Sequence, residues 1–382
     1  MKHVFCLLLL LGLSIPCQAY WVEATGDAKI VNGDSSKARE IAIQNALRMA
    51  LLQNGGNFQA SQVVSNGNLT TQALELSAAA NVKTVELLNE QKDGERLIVT
   101  IKVDLQANDA QSCSNDGLKA AILIPQTLLY DRSQLRYGRL EKLPSVLSQH
   151  LAAMLKKNSA FSFPLTLAEK QVDIPTPTAA GLRIPTIVSE MTDSQYLLLP
   201  ELLDISVAPA TSAPLGLWQH DPLRQFQLRL TLYHGISGEI LWQHDYATNA
   251  AWEFDKTAMV NPTSSEFWQS AYGENISAVL QQSVTDIDQV LNCRPLLAQI
   301  IARDNSRVIL NIGRQNGVKK GDKFKIAMQY NVNDQLNRPH ALATATPVTV
   351  TIDQTSETTA TALINGEHAA LNIQVNDIAL KK

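Results

Sequence analysis

The feature that most limits what this chain can build is the length of its apolar runs. One run, residues 4–13, stands at the start behind Lys2 and His3. Ser14-Ile15-Pro16 breaks it, and Cys17-Gln18-Ala19 offers small residues for cleavage after Ala19. That is the pattern of a secretory signal peptide over residues 1–19, because a permanent anchor takes roughly 20 apolar residues. Acylation of Cys17 is the rival reading, and Ile15-Pro16 fits the small-residue requirement of such a site badly. Behind the leader, the apolar runs at 120–124 and 196–199 are strand-sized and bounded by polar or proline residues. The expected mature chain is soluble, outside the cytoplasm and without a transmembrane segment. Its parent length of 382 residues suggests two or three domains. A net charge of −4 without a basic block argues against a nucleic-acid partner.

Cleavage removes Cys6 and Cys17 and leaves Cys113 and Cys293. In an oxidising compartment their simplest state is one disulfide. They stand at the two edges of the expected middle domain, so a bridge would tie its entry to its exit. The chain-entropy picture gives at most about 5 kcal/mol for so long a loop. Two free thiols are the alternative. No Cys-x-x-Cys spacing or Cys/His cluster supports a metal or redox role.

The patterning predicts an α+β multidomain chain divided at 20–111, 112–294 and 295–382. The first part reads strand (22–31), long helix, short helix, hairpin. Ser35 or Ser36 caps the long helix, Ala42, Ala46 and Met49 lie on its apolar face, and Gly55-Gly56 ends it. Residues 58–71 are polar and read as a loop. Asp93-Gly94 is a hairpin turn signal between strands at 82–91 and 96–105. In the second part, a buried strand at 120–124, an amphipathic helix at 140–157 and a strand at 196–200 make an α/β layer. A proline-rich connection at 174–185 interrupts it. Residues 226–233 alternate, turn through Gly235-Ile236-Ser237-Gly238 and return from Ile240, which predicts a hairpin with one wet face. One helix, 264–291, closes this part. The third part is strands and turns, including Asn316-Gly317 and Lys320-Gly321-Asp322, and reads as a small β-barrel.

Catalytic patterns are missing: the chain has no HExxH, GxSxG, GxGxxG or P-loop. No cofactor or metal is expected. His234 and His244 flank their hairpin turn, and the plain reading is two solvated edge histidines. Trp21, Trp218, Trp242, Trp252 and Trp268 suit core or interface packing better than a carbohydrate groove.

Three stretches carry a family resemblance. Trp21-Val22-Glu23-Ala24-Thr25-Gly26-Asp27, followed by Gly33-Asp34 and Ala38-Arg39-Glu40-Ile41-Ala42, resembles the N-terminal signature of the flagellar assembly protein T (FlgT) family. Phe267-Trp268-Gln269-Ser270-Ala271-Tyr272-Gly273 and Gly317-Val318-Lys319-Lys320-Gly321-Asp322-Lys323-Phe324 are similar to its later domains. The last motif recurs in many small barrels and is weak alone.

The resemblance implies a periplasmic structural protein of the flagellar basal body, not an enzyme. Its parts would be an α+β N-terminal domain, a middle α/β domain like the N-terminal part of TolB, and a small β-barrel. Copies would form the H ring around the LP-ring proteins and support the T-ring proteins MotX and MotY and stator docking. A ring needs surfaces that repeat head to tail. Trp21, Glu23, Asp27, Asp34, Lys37, Arg39 and Glu40 are the expected interface, on the exposed edges of the first strand and helix, with solvation of one helix face as the sober alternative. A TolB-like periplasmic envelope or outer-membrane accessory protein is the competing function, and a polysaccharide-binding protein or cell-wall enzyme a third.

Overall fold

A computed structural model describes residues 20–30, 33–54, 82–105, 117–174, 184–208, 221–255, 257–292, 294–333, 339–365 and 373–382. The leader, the expected short helix and loop between 55 and 81, Gly55-Gly56, most of the proline-rich connection and both Cys113 and Cys293 lie outside the described residues.

The N-terminal layer consists of β1 (Tyr20–Lys29), helix α1 (Ser35–Asn54), β2 (Val82–Asp93) and β3 (Arg96–Leu105). The strands form an antiparallel sheet in the order β1-β3-β2. Strand alternation sorts the side chains: Val22, Ala24, Ala28, Leu97, Val99, Ile101 and Val103 are buried together with Ala38, Ala42 and Ala46 of α1. The helix lies almost on the sheet backbone, because a Cβ at Gly26 would stand 2.1 Å from the Ala42 carbonyl oxygen. Small residues on both elements allow that approach. The N-cap of α1 is Asp34 rather than either serine: its carboxylate accepts from the Ser36 and Lys37 amides, each at 3.1 Å.

The middle layer is built around a mixed sheet. Its strands are β4 (Ala120–Pro125), β5 (Leu128–Leu129), β6 (Ser162–Leu167), β7 (Tyr196–Asp204), β8 (Leu223–His234) and β9 (Ile240–Ala251), in the order β6-β4-β7-β8-β9 with β5 on β7. β4 runs parallel to β6 and β7, whereas β7, β8 and β9 are antiparallel. The helices are α2 (Leu143–Asn158), α3 (Ile184–Thr192), α4 (Ser265–Gln269) and α5 (Ala271–Leu291). The single helix expected at 264–291 is divided at Ser270, whose backbone is extended (φ −67°, ψ 156°). Its hydroxyl donates to the Phe267 carbonyl at 2.6 Å and accepts from the Gly273 amide at 3.2 Å, ending one helix and starting the next. Tyr272, Ile276, Leu280, Val284, Ile287 and Leu291 then form the buried stripe of α5.

The C-terminal part is a closed barrel of six strands, β10 (Leu297–Asp304), β11 (Arg307–Leu310), β12 (Lys323–Asn333), β13 (Pro339–Thr355), β14 (Ala360–Ile364) and β15 (Ile378–Lys381), in the order β10-β11-β14-β13-β12-β15. Closure removes the edges that an open sheet of this size would present.

The three parts do not sit apart. One apolar cluster runs without a break from the middle layer into the barrel, from Ile122 and Leu198 to Leu296, Val318 and Ala379. Asn316 staples the same joint: its side-chain amide donates to the Lys119 carbonyl at 2.9 Å, and its own carbonyl accepts from the Lys119 amide at 2.8 Å. A second cluster joins the N-terminal layer to Leu297, Ala327, Ala343 and Ile378 of the barrel and to Ile236 at the β8–β9 turn.

Candidate interaction surface

The residues expected to carry the ring contact divide into two groups. Trp21 and Glu23 stand exposed on the sheet face away from α1, and the Lys102 ammonium lies 5.2 Å from the Trp21 ring centre. Lys37 and Arg39 are exposed on α1, and Arg39 reaches Glu90 of β2 at 2.7 Å. Asp34 is exposed, but its carboxylate serves the helix start. Hydrogen bonds from the Ser36 hydroxyl and the Lys37 amide hold it below the usual carboxylate range. The side chain of Glu40 lies outside the described residues.

Asp27 is a correction. It was expected on an exposed edge, yet only 2% of it reaches solvent. The Tyr330 hydroxyl of β12 donates to its carboxylate, Arg96 sits 3.4 Å away, and the Arg96 guanidinium stands 5.2 Å from the Tyr330 ring centre. Tyr330 also packs on Ile98. Burial, with the hydrogen bond to Asp27 next in weight, pushes the Tyr330 phenol up to about 12, so it remains a donor at neutral pH. The physical reason for the correction is that β1 and α1 lie against β13. The barrel thereby occupies part of the side of the layer that sequence patterning left to solvent.

Among the described residues the open edge is β2 instead. It is one of the two outer strands of the sheet, β1 being the other, and residues 85–90 are exposed without interruption. Val85, Leu87 and Leu88 are 38%, 42% and 48% exposed. Val85 and Leu87 sit opposite Val103 and Ile101, on the face that α1 covers farther in, and a bulge falls between Leu87 and Asn89. A long outer strand with apolar side chains and unpaired backbone groups is a ready template for strand addition, and here the bulge and the charges of Glu86, Glu90 and Lys92 temper it. Sequence reasoning found the strand but not its place at the edge. Pairing order is a tertiary property that the alternation in 82–91 does not encode.

The hairpin histidines also separate. His234 is buried and its Nδ1 accepts from the Ser237 amide at 3.2 Å, so it is not a solvated edge residue. Desolvation and the nearby Arg294 charge drive it down to about 3. His244 is exposed opposite Leu230, its ring 4.6 Å from that of Tyr246. Among the described residues no group of His, Cys, Asp and Glu is placed to hold a metal ion, and no helix is long and apolar enough to cross a membrane. Trp252 is fully buried, while Trp242 and Trp268 are half-buried against the core.

Comparison with solved structures gives distant likenesses. The hypothetical protein CT253 from Chlamydia trachomatis is 10% identical over 45% of this chain and 98% of its own, with a TM-score of 0.32. The PelC dodecamer from Paraburkholderia phytofirmans is 10% identical over 55% and 96%, at 0.26. Lipoprotein GNA1162 from Neisseria meningitidis is 14% identical over 44% and 99%, at 0.25. Scores this low define neither fold nor function, and no curated protein matches the chain. The family comparison is of another order: the N-terminal, middle and C-terminal domains described as Flagellar assembly protein T match residues 20–107, 111–262 and 305–381 in their family order. With most of its length matched in three consecutive segments, the chain belongs to the flagellar assembly protein T family.

Proposed function

We propose that this flagellar assembly protein is a structural component of the basal body, acting in the periplasm as a subunit of the H ring. In that role it surrounds the LP ring and supports the T-ring proteins MotX and MotY and, through them, the stator. The observation that carries the reading is the succession of three family domains, in order, along one chain. The interlocked cores add physical support, since a ring subunit under load needs rigid connections between its parts. Domain limits at 20–111, 112–294 and 295–382, and a Cys113–Cys293 disulfide, belong to the same proposal.

Ring closure requires a heterologous contact. The N-terminal layer supplies it in this reading, through the outer strand β2 together with Trp21, Glu23, Lys37 and Arg39. The middle layer faces the motor partners. Electron cryotomography of basal bodies from a deletion strain, beside the parent, is the test. Loss of the outer periplasmic disc together with swimming supports the ring reading. Intact discs and normal swimming favour a TolB-like envelope accessory role. Reversal of charge at Arg39 and Glu40 with assembly and motility unchanged would move the contact away from α1.

A further inference from the structure

The carboxyl ends of β4 and β6 in the middle sheet border a cleft, one strand away from a switch in the winding. β4 leads through α2 to β6 on one side of it, and β6 leads through α3 to β7 on the other. Parallel crossovers are right-handed, so two crossovers that move in opposite directions leave by opposite faces of the sheet. The switch point of this order is the β4–β7 pair, and open α/β sheets bind ligands beyond the carboxyl ends of their strands. The chain has a cleft of about 600 Å³ at this end of the sheet, on the β6 side of β4, lined by Gln126 after β4, Arg132, Ser133 and Arg136 on the following short helix, Glu141 and Pro144 at the start of α2, and Glu169 and Gln171 after β6. Its size falls within the roughly 300–1,000 Å³ of small-ligand pockets.

The walls are charged with opposite signs and held in place. Arg132 and Arg136 make no ion pair among the described residues, and both are exposed to the cleft side of their helix. Glu141 and Glu169 come from other elements. The arginine-bearing wall is fixed from below by Arg224, which is fully buried under the Trp252 ring, 4.3 Å from its centre. Arg224 donates to the carbonyls of Gln134 at 3.1 Å, Tyr137 at 2.9 Å and Ile205 at 3.1 Å. The Gln134 side chain accepts from the Ile205 amide at 2.8 Å, and Asp131 caps the short helix through the Ser133 amide at 2.9 Å. The Gln126 amide donates to the Lys170 carbonyl at 2.9 Å, which ties the two strand ends together. A pre-arranged wall loses little freedom on binding.

We propose that this cleft binds a short peptide segment carrying one carboxylate and one ammonium group. The guanidiniums of Arg132 and Arg136 take the carboxylate, Glu141 and Glu169 take the ammonium, and Gln126, Gln171 and Ser133 serve the amides between them. The assignment rests on the middle layer alone and does not depend on ring assembly.

Isothermal titration of the full chain tests it, with the end-blocked peptide Ala-Glu-Lys-Ala as the probe and two controls in which Gln replaces its Glu or its Lys. The expected result is saturable binding at least tenfold tighter than either control. The pair Arg132→Gln with Arg136→Gln, and separately Glu141→Gln with Glu169→Gln, each weaken it at least tenfold. All four positions are exposed, so the variants should melt as the parent does. Absence of saturable heat overturns the proposal, as does binding that both pairs of substitutions leave unchanged. A lysine-free control that binds as well as the probe, with the glutamate substitutions neutral, overturns the zwitterionic assignment in favour of a plain anion site.

Discussion

At the scale of single residues, two positions set sharp expectations. A methyl group at Gly26 would stand 2.1 Å from the Ala42 oxygen and 2.2 Å from the Ala46 nitrogen, both backbone atoms of α1 that no side-chain rotation relieves. Gly26→Ala should therefore cost about 3 kcal/mol, measured by urea unfolding of the full chain. His234 sets a pH dependence. Its folded-state value near 3 lies below the ordinary 6.5, so the unfolded chain binds the extra proton. Stability from the neutral ring is whole above pH 6.5 and drains away as the pH falls toward 3, at up to about 1.4 kcal/mol per pH unit. His234→Gln should flatten the fall in melting temperature between pH 7 and 5 relative to the parent. An equal fall in both would deny the ring that role. Neither residue advertises itself: Gly26 reads as an ordinary strand glycine, and the His234 ring owes its state to distant neighbours, the charge of Arg294 and the ring of Tyr196 on β7.

At the scale of elements, much was legible. Asp93-Gly94 announced the β2–β3 hairpin, alternation announced β8 and the turn after it the return into β9, and the turn chemistry of the last segment announced strands that close into a barrel. These signals are local, within a few residues of the structure they specify. The divided helix was missed because an apolar stripe continues through 264–291 while one serine, hydrogen bonded on both sides, turns the backbone. The place of β2 at the sheet edge was missed because pairing order is not local. It yields a separate expectation. Leu88 is nearly half exposed at the bulge, so Leu88→Lys should change stability by no more than about 0.5 kcal/mol. The same substitution should reduce self-association in sedimentation and disc formation in tomograms. Normal assembly in that variant would take β2 out of the contact.

At the scale of the molecule, composition and turn signals suggested three units, and the chain joins them through shared cores. The joint at Asn316 is specific enough to test. Removing its side chain leaves the Gly313 amide and the Lys119 carbonyl without partners, and Asn316→Ala should cost about 2 kcal/mol. Calorimetry should then show the barrel and middle layer separating into two transitions if the staple couples them, and one shifted transition if the shared apolar cluster does so alone. The contact of Asp27 with Tyr330, 303 positions apart, could not be read from either neighbourhood, since each residue sits in an unremarkable strand.

The second apolar cluster has a consequence for the order of events during synthesis. The layer made first borrows part of its wall from Ile236, Leu297, Ala327, Ala343 and Ile378, all made later. Its apolar surface must wait, uncovered on that side, until almost the last strand has emerged. A fragment of residues 20–107 should accordingly bind a hydrophobic dye that the full chain does not, and the newborn N-terminal layer is a natural client for whatever shields unfinished chains.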